Sequence, residues 1–303
     1  MGKKNLTNTS FKAKTIVVNQ QSLATDSADA AEHFKAQLAL ATSARLDVQR
    51  KDALSYLTNR ISSKPPCNPL GTPAVLMRVI PHITDSSKPV RGQLLKLLRA
   101  MPPSELRPHV GTILMYVRGG MTHLSEEIRS DTLGVVEWLL EAAGPEAVSC
   151  PGGWMKTLNS FSSMLGWNPV VGSAASSKGW TSSTKTALVA KRGPQAQARQ
   201  IQVLARFLEV GFRPEPCAPY DPRAYWDNIY RLPGTSNAFA HLNLFGTPRD
   251  ENEDMYPDRQ SRLAVFQERW AEAITRGMED AKKDGGAAGR AAATLEKVLL
   301  EQS

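Results

Sequence analysis

Three pairs of amphipathic helices succeed one another along the first half of this chain, and that recurrence constrains its fold more than any other feature. Residues 30–44 place Phe34, Leu38 and Ala41 at helical spacing, and residues 47–61 do the same with Val48, Ala53, Leu54 and Leu57. The pattern returns in 73–83 followed by 88–101, and again in 104–117 followed by 125–142. In the second helix of each pair an aliphatic residue opens the apolar face and others follow one and two turns later: Val48, Ala53, Leu57; Val90, Leu95, Leu98; Ile128, Leu133, Val136. The openers stand 42 (90 minus 48) and 38 (128 minus 90) residues apart, close to the period of roughly 40–47 residues of HEAT and armadillo units. A lone helix pair cannot bury its apolar face, so the pairs must stack. The expected fold is all-α, a HEAT/armadillo-like helical-repeat solenoid with an extended N-terminal arm and a C-terminal helical extension.

The breakers agree with this division. Polar and Pro-containing turns at 62–69 and 85–89 separate helices, and Gly144-Pro145 closes the third pair. Trp154, Leu158, Phe161 and Leu165 form one further stripe and Ile201, Leu204, Phe207 and Leu208 another, which predicts a fourth pair. Between them, 168–194 is rich in Ser, Gly and Thr, carries no acid, and is too long for an ordinary turn, so it reads as a flexible basic insertion. Residues 214–234 concentrate Pro with Tyr220, Tyr225, Trp226 and Tyr230, followed by Phe239-Ala-His-Leu-Asn-Leu-Phe245, a docking strip with little helical period. A long amphipathic helix through Leu263, Phe266, Trp270 and Ile274 then precedes Gly285-Gly286 and a last helix around Leu295, Val298 and Leu299. The expected domains are a basic arm over 1–29, repeats over 30–213 with the insertion at about 168–194, and the docking segment with C-terminal helices over 214–303.

Composition excludes several classes. With 41% hydrophobic residues in 303, the chain can bury a sizeable core. Cys67, Cys150 and Cys217 are odd in number and far apart, which fits neither a disulfide framework nor a zinc ribbon and suggests a reducing compartment. No stretch approaches the ~18 apolar residues of a membrane span, and Met1-Gly-Lys-Lys-Asn-Leu6 lacks the apolar stretch of a signal peptide, so no membrane partner is expected. Catalytic signatures are missing too: there is no G-x-S-x-G elbow, no H-E-x-x-H and no Rossmann fingerprint. Gly172-Ser-Ala-Ala-Ser-Ser-Lys-Gly179 imitates a phosphate loop, but Lys precedes Gly and no buried strand feeds it. His33, His82, His109, His123 and His241 lack metal-ligand spacing, and His123 is expected to fix a turn by hydrogen bonding. No enzyme activity, cofactor or metal is expected.

What remains is binding. The formal charge of +8 favours acidic partners such as RNA. Lys3, Lys4, Lys185, Lys191 and Arg192 are the candidate RNA contacts. Four arm lysines on single-stranded RNA would give a salt slope of about 3, hence only a ~50-fold loss of affinity between 50 and 200 mM salt, which is auxiliary binding. Stable placement must then come from protein contacts, for which Phe11, Lys12, Lys14 and Ile16 at one end and Tyr225, Trp226, Leu242, Leu244 and Phe245 at the other are the candidates, with capping of the solenoid as their competing role.

Five blocks, in order, carry a resemblance. Asn5-Leu-Thr-Asn-Thr-Ser-Phe-Lys-Ala-Lys-Thr-Ile16, Arg50-Lys-Asp-Ala-Leu54, Met121 to Asp131, Trp154 through Leu165-Gly-Trp167, and Phe239 to Phe245 resemble the fungal pre-ribosomal-RNA-processing family whose animal relatives are called testis-expressed protein ten. The resemblance implies an armadillo-like, non-catalytic scaffold of the Rix complex in ribosome biogenesis. Its implied partners are a β-propeller subunit, a larger helical-repeat subunit, the midasin ATPase and the pre-60S particle, with direct rRNA contact as a candidate. Processing of the second internal transcribed spacer and a location in the nucleolus and nucleoplasm follow from the same likeness. An RNA-binding or chromatin-associated adaptor is the alternative reading.

Overall fold

Breakers and caps decide where each helix of this chain begins and ends. The computed structural model describes residues 23–64, 66–167, 193–214 and 254–301, with side chains from Ala30 onward, and there is no strand among the described residues. The helices are α1 (Leu23–Ser43), α2 (Asp47–Ile61), α3 (Thr72–Val79), α4 (Lys88–Ala100), α5 (Pro103–Leu106), α6 (Val110–Met121), α7 (Glu126–Ser149), α8 (Met155–Leu165), α9 (Pro194–Phe212), α10 (Arg259–Arg269), α11 (Ala271–Asp284) and α12 (Gly286–Leu300). Short 3₁₀ turns, Ile80–Thr84 and Arg107–His109, extend α3 and precede α6. Proline occupies the first turn of α3, α4, α5 and α9, where its missing N–H costs nothing. Gly166 ends α8 in the left-handed conformation at φ 74°, and the Trp167 amide bonds back to the Ser162 carbonyl. Asp258 caps α10 by accepting from the Ser261 amide at 2.7 Å.

The second helix of each pair packs on the second helix of the next, α2 on α4, α4 on α7 and α7 on α9, and α12 lies along α9. The first helices follow suit, α1 on α3, the 3₁₀ turn after α3 on α6, and α6 on α8. One continuous apolar core runs through these contacts, from Phe34, Leu38 and Ala41 in α1 to Ala292 and Leu295 in α12. The fourth pair is present, since Trp154, Leu158, Phe161, Leu165, Ile201, Leu204, Phe207 and Leu208 are all buried.

Three details differ from the sequence reading. Val48 is 63% exposed; nine residues at about 100° each leave it half a turn away from Leu57, so the face of α2 opens at Ala53 instead. Helix α7 runs on to Ser149, but Ala143 has φ −152° and ψ 45°, so the break expected at Gly144-Pro145 is a kink one residue earlier. The long C-terminal helix is two, parted at Trp270, whose φ of −119° and ψ of −23° distort the right-handed backbone at the junction while its ring stays buried.

The Leu165-Gly166-Trp167 corner fastens the C-terminal helices. Trp167 lies against Gly277 of α11 so closely that a Cβ there would overlap the indole. Gly277→Ala therefore costs about 1–2 kcal/mol, because the half-buried Trp167 can partly swing aside; a thermal melt of the purified variant checks this, and an unchanged midpoint would contradict the contact.

Candidate partner-binding edge

The second helices of the first three pairs, α2, α4 and α7, are each entered through a tight turn whose carbonyls point away from any helix ladder and need donors. An arginine one turn inside the helix supplies them. Arg50 Nη1 donates to the carbonyls of Ala44 (3.1 Å) and Arg45 (3.0 Å). Arg91 Nη1 donates to Asp85 (2.7 Å) and Ser86 (3.0 Å), and Arg129 Nη1 to His123 (2.7 Å) and Leu124 (2.9 Å). In every case the acceptors lie six and five residues before the arginine. Arg262 repeats the device at the start of α10, on Tyr256 (2.8 Å) and Pro257 (2.6 Å), and adds a 2.7 Å bond from Nε to the Gly211 carbonyl of α9.

The first two arginines also reach forward into the next pair. Arg50 grips Asp85 through Nε and Nη2, both at 3.0 Å, in a two-pronged fork. Arg91 bonds Asp131 from Nε at 2.9 Å, and its Nη2 stands 2.8 Å from the same oxygen with its N–H aimed past it, so this rung is an ion pair with one well-directed hydrogen bond. Asp85 further accepts the Ser87 amide at 2.8 Å and faces His82 Nδ1 at 3.2 Å. Burial acts to raise the Asp85 pKa, but the Arg50 and Ser87 bonds, the Arg50 charge and His82 together hold it below its ordinary 3.8. A folded pKa below the unfolded one contributes stability that is present above the unfolded value and lost as pH falls through the folded one. Asp85→Asn should accordingly flatten the loss of stability below about pH 4; urea midpoints measured across the acid range decide it, and an unaltered acid limb would refute the Arg50–Asp85 rung.

Three of the histidines make structural contacts. His33 meets Tyr56 edge-on at 4.8 Å between centroids, His82 joins the Asp85 cluster, and His123 sets its turn as expected, its Nδ1 accepting the Ser125 amide at 3.0 Å. Burial pushes the Cys150 thiol pKa up, only partly offset by Arg118, which makes it a poor nucleophile. The polar depression bounded by Lys88, Glu126, Glu127, Ser130, Asp131 and Ala196 is shallow, and Asp131 in it is already held by Arg91. No group of three potential metal ligands occurs among the described residues, and no helix among them is long and apolar enough to cross a membrane.

Phe11, Lys12, Lys14, Ile16, Tyr225, Trp226, Leu242, Leu244 and Phe245, like Lys3, Lys4, Lys185, Lys191 and Arg192, lie outside the described residues. The edge formed by the arginine turns was missed in the sequence, although a signal existed: Arg50, Arg91 and Arg129 recur 41 (91 minus 50) and 38 (129 minus 91) residues apart, beside the apolar openers.

Packed helix pairs joined by buried arginines, with polar groups engaged in holding turns together, define an all-α protein built from stacked helical hairpins. Residues 104–208 match the family model described as a Rix1 complex component involved in 60S ribosome maturation. The chain is 64% identical to the pre-rRNA-processing protein IPI1 of Chaetomium thermophilum, over 97% of this chain and 87% of that protein. It is 58% identical to the protein of the same name from Neurospora crassa, over 97% and 85%. The chain belongs to this IPI1 family of fungal pre-rRNA-processing proteins. A chain of a solved Rix1-Rea1 pre-60S particle is similar at 24% identity, with a TM-score of 0.44 over 70% of this chain and 77% of that one.

Proposed function

We propose that this chain is a non-catalytic scaffold subunit of the Rix complex in ribosome biogenesis, supporting maturation of the pre-60S particle, processing of the second internal transcribed spacer and recruitment of the midasin ATPase. The observation that carries this reading is membership of a family described by 60S maturation, in relatives that align over nearly the whole chain. The architecture is HEAT/armadillo-like: the recurrent arginine turns supply a repeat register, and the run of α12 along α9 supports a C-terminal extension of the stack over 214–303 beyond repeats in 30–213, with 1–29 as the arm. A β-propeller subunit and a larger helical-repeat subunit are its direct partners, and the nucleolus and nucleoplasm its place of work. Replacing the fungal gene with a depletable copy tests this: precursors retaining the second internal transcribed spacer should accumulate, and affinity purification at high salt should retain both partner subunits. Normal precursor processing after depletion would sink the proposal.

The charge of +8 favours a second reading, direct RNA binding. It predicts tight, salt-sensitive RNA binding by the isolated chain. A chromatin-associated adaptor role would instead place the complex in chromatin fractions free of pre-ribosomes.

A further inference from the structure

We infer that the Arg129 guanidinium is an open rung of the arginine edge, a preorganised docking point for an Asp or Glu side chain of a protein partner. Arg129 is only 8% exposed, and its Nη1 is fixed by the carbonyls of His123 and Leu124. That is the geometry of Arg50 and Arg91, whose Nε and Nη2 then hold Asp85 and Asp131 from the following helix pair. On Arg129 the corresponding Nε and Nη2 hold nothing among the described residues, and neither is a sealed atom, so this edge reaches solvent. A buried cation with half its fork unfilled is a strong demand for a carboxylate, because the cost of desolvating the arginine has already been met by the fold.

The following pair cannot answer that demand. Between Glu146 and Glu209 the sequence contains neither Asp nor Glu, so α8, the insertion before α9 and the part of α9 that precedes Glu209 have no carboxylate to offer. Leu124, one of the two residues whose carbonyls Arg129 holds, is 79% exposed, which gives the site an apolar shoulder. Glu126 and Glu127 stand exposed at the head of the same helix. Glu127 already faces Arg91 at 3.8 Å, while the charge of Glu126 disfavours a polyphosphate strand; the arginine takes one carboxylate, with a partner cation beside Glu126. The occupant is thus a peptide segment presenting an acid next to an apolar side chain. Its identity as a protein rests on the scaffold reading; the carboxylate site itself does not.

The test begins with the full-length chain alone. Acetate is titrated while the Nε–Hε resonances of Arg50, Arg91 and Arg129 are followed by NMR, each assigned through its Lys variant. The Arg129 resonance should move saturably with acetate and remain still with chloride at equal ionic strength, while those of Arg50 and Arg91, already paired, stay put. An Arg129 resonance that ignores acetate, as it would if another part of this chain filled the site, or that answers only to oligouridylate, overturns the proposal. In the complex reconstituted with the other Rix subunits, Arg129→Gln and Leu124→Asp should each weaken association at least about tenfold. Leu124→Asp should do so without lowering the melting temperature, since that side chain is exposed, which separates a lost contact from a lost fold. Unchanged association in both variants also overturns the proposal. Failure of the unaltered chain to join the complex would count against the scaffold reading, and the acetate titration would still decide whether the edge takes a carboxylate.

Discussion

Replacing Trp154 with alanine should lower the unfolding free energy by about 4 kcal/mol, near the upper end of what truncating a buried aromatic side chain costs. Trp154 is fully buried where α8, α9 and α10 meet. Its ring stacks on Phe207 at 5.2 Å and 19°, meets Phe212 edge-on at 5.6 Å, and its Nε1 donates to the Arg262 carbonyl at 3.2 Å. Arg262 Nε in turn donates to the carbonyl of Gly211, and Gly211 lies so close beneath the indole that any Cβ would overlap it. Deletion of the ring therefore opens a large cavity in a closed cluster and removes the indole's hydrogen bond to the Arg262 carbonyl. Trp154→Phe keeps most of the volume and should cost about 1–2 kcal/mol, mainly the hydrogen bond and the imperfect fill. Chemical denaturation followed by circular dichroism gives both values. A loss under about 1 kcal/mol for alanine would mean that the three helices are not locked at this point.

Arg91→Ala is the second large effect, with an expected cost of about 3 kcal/mol. Arg91 is 4% exposed and serves the turn carbonyls of Asp85 and Ser86 on one side and Asp131 on the other. Its removal strands two turn carbonyls and one carboxylate, although Asp131 is 31% exposed and recovers part of its hydration, which keeps the figure below that of a sealed pair. Lysine should rescue little, because a single ammonium cannot reproduce a planar fork that serves opposite directions at once. Asp131→Ala alone should cost only about 1 kcal/mol, and the double variant should fall short of the sum of the two, since the sites share one interaction. Strict additivity in that cycle would show that the Arg91–Asp131 rung contributes nothing to stability.

The two predictions probe parts of the molecule that were unequally legible. The Trp154 stripe follows from helical spacing alone, since Trp154, Leu158, Phe161 and Leu165 fall on one face, and they are buried as that pattern requires. The same reasoning misplaced Val48, because membership of a face depends on angle and not on order along the helix, and nine residues rotate it to the far side of α2. The arginine edge was legible only as a faint spacing. Arginine at helical positions is usually read as a solvated face, and nothing local says that Arg50, Arg91 and Arg129 fold back onto their own turns.

The sequence by itself determined the helix pairs, their turns, the buried apolar stripes and the family, because these depend on periodicity, breakers and ordered blocks of residues that lie close together along the chain. Tertiary structure alone decided which arginines are buried, which acid each one meets, and that Arg129 meets none among the described residues. Those facts arise from groups some 35 to 40 residues apart, as in Arg50 with Asp85 and Arg91 with Asp131. Such distances along the chain close only when one helix pair has been laid upon the next, and the same stacking brings Gly211 under Trp154 and Gly277 under Trp167. Local rules describe each hairpin, while the contacts between hairpins are set by the geometry of stacking, which no single stretch of sequence contains.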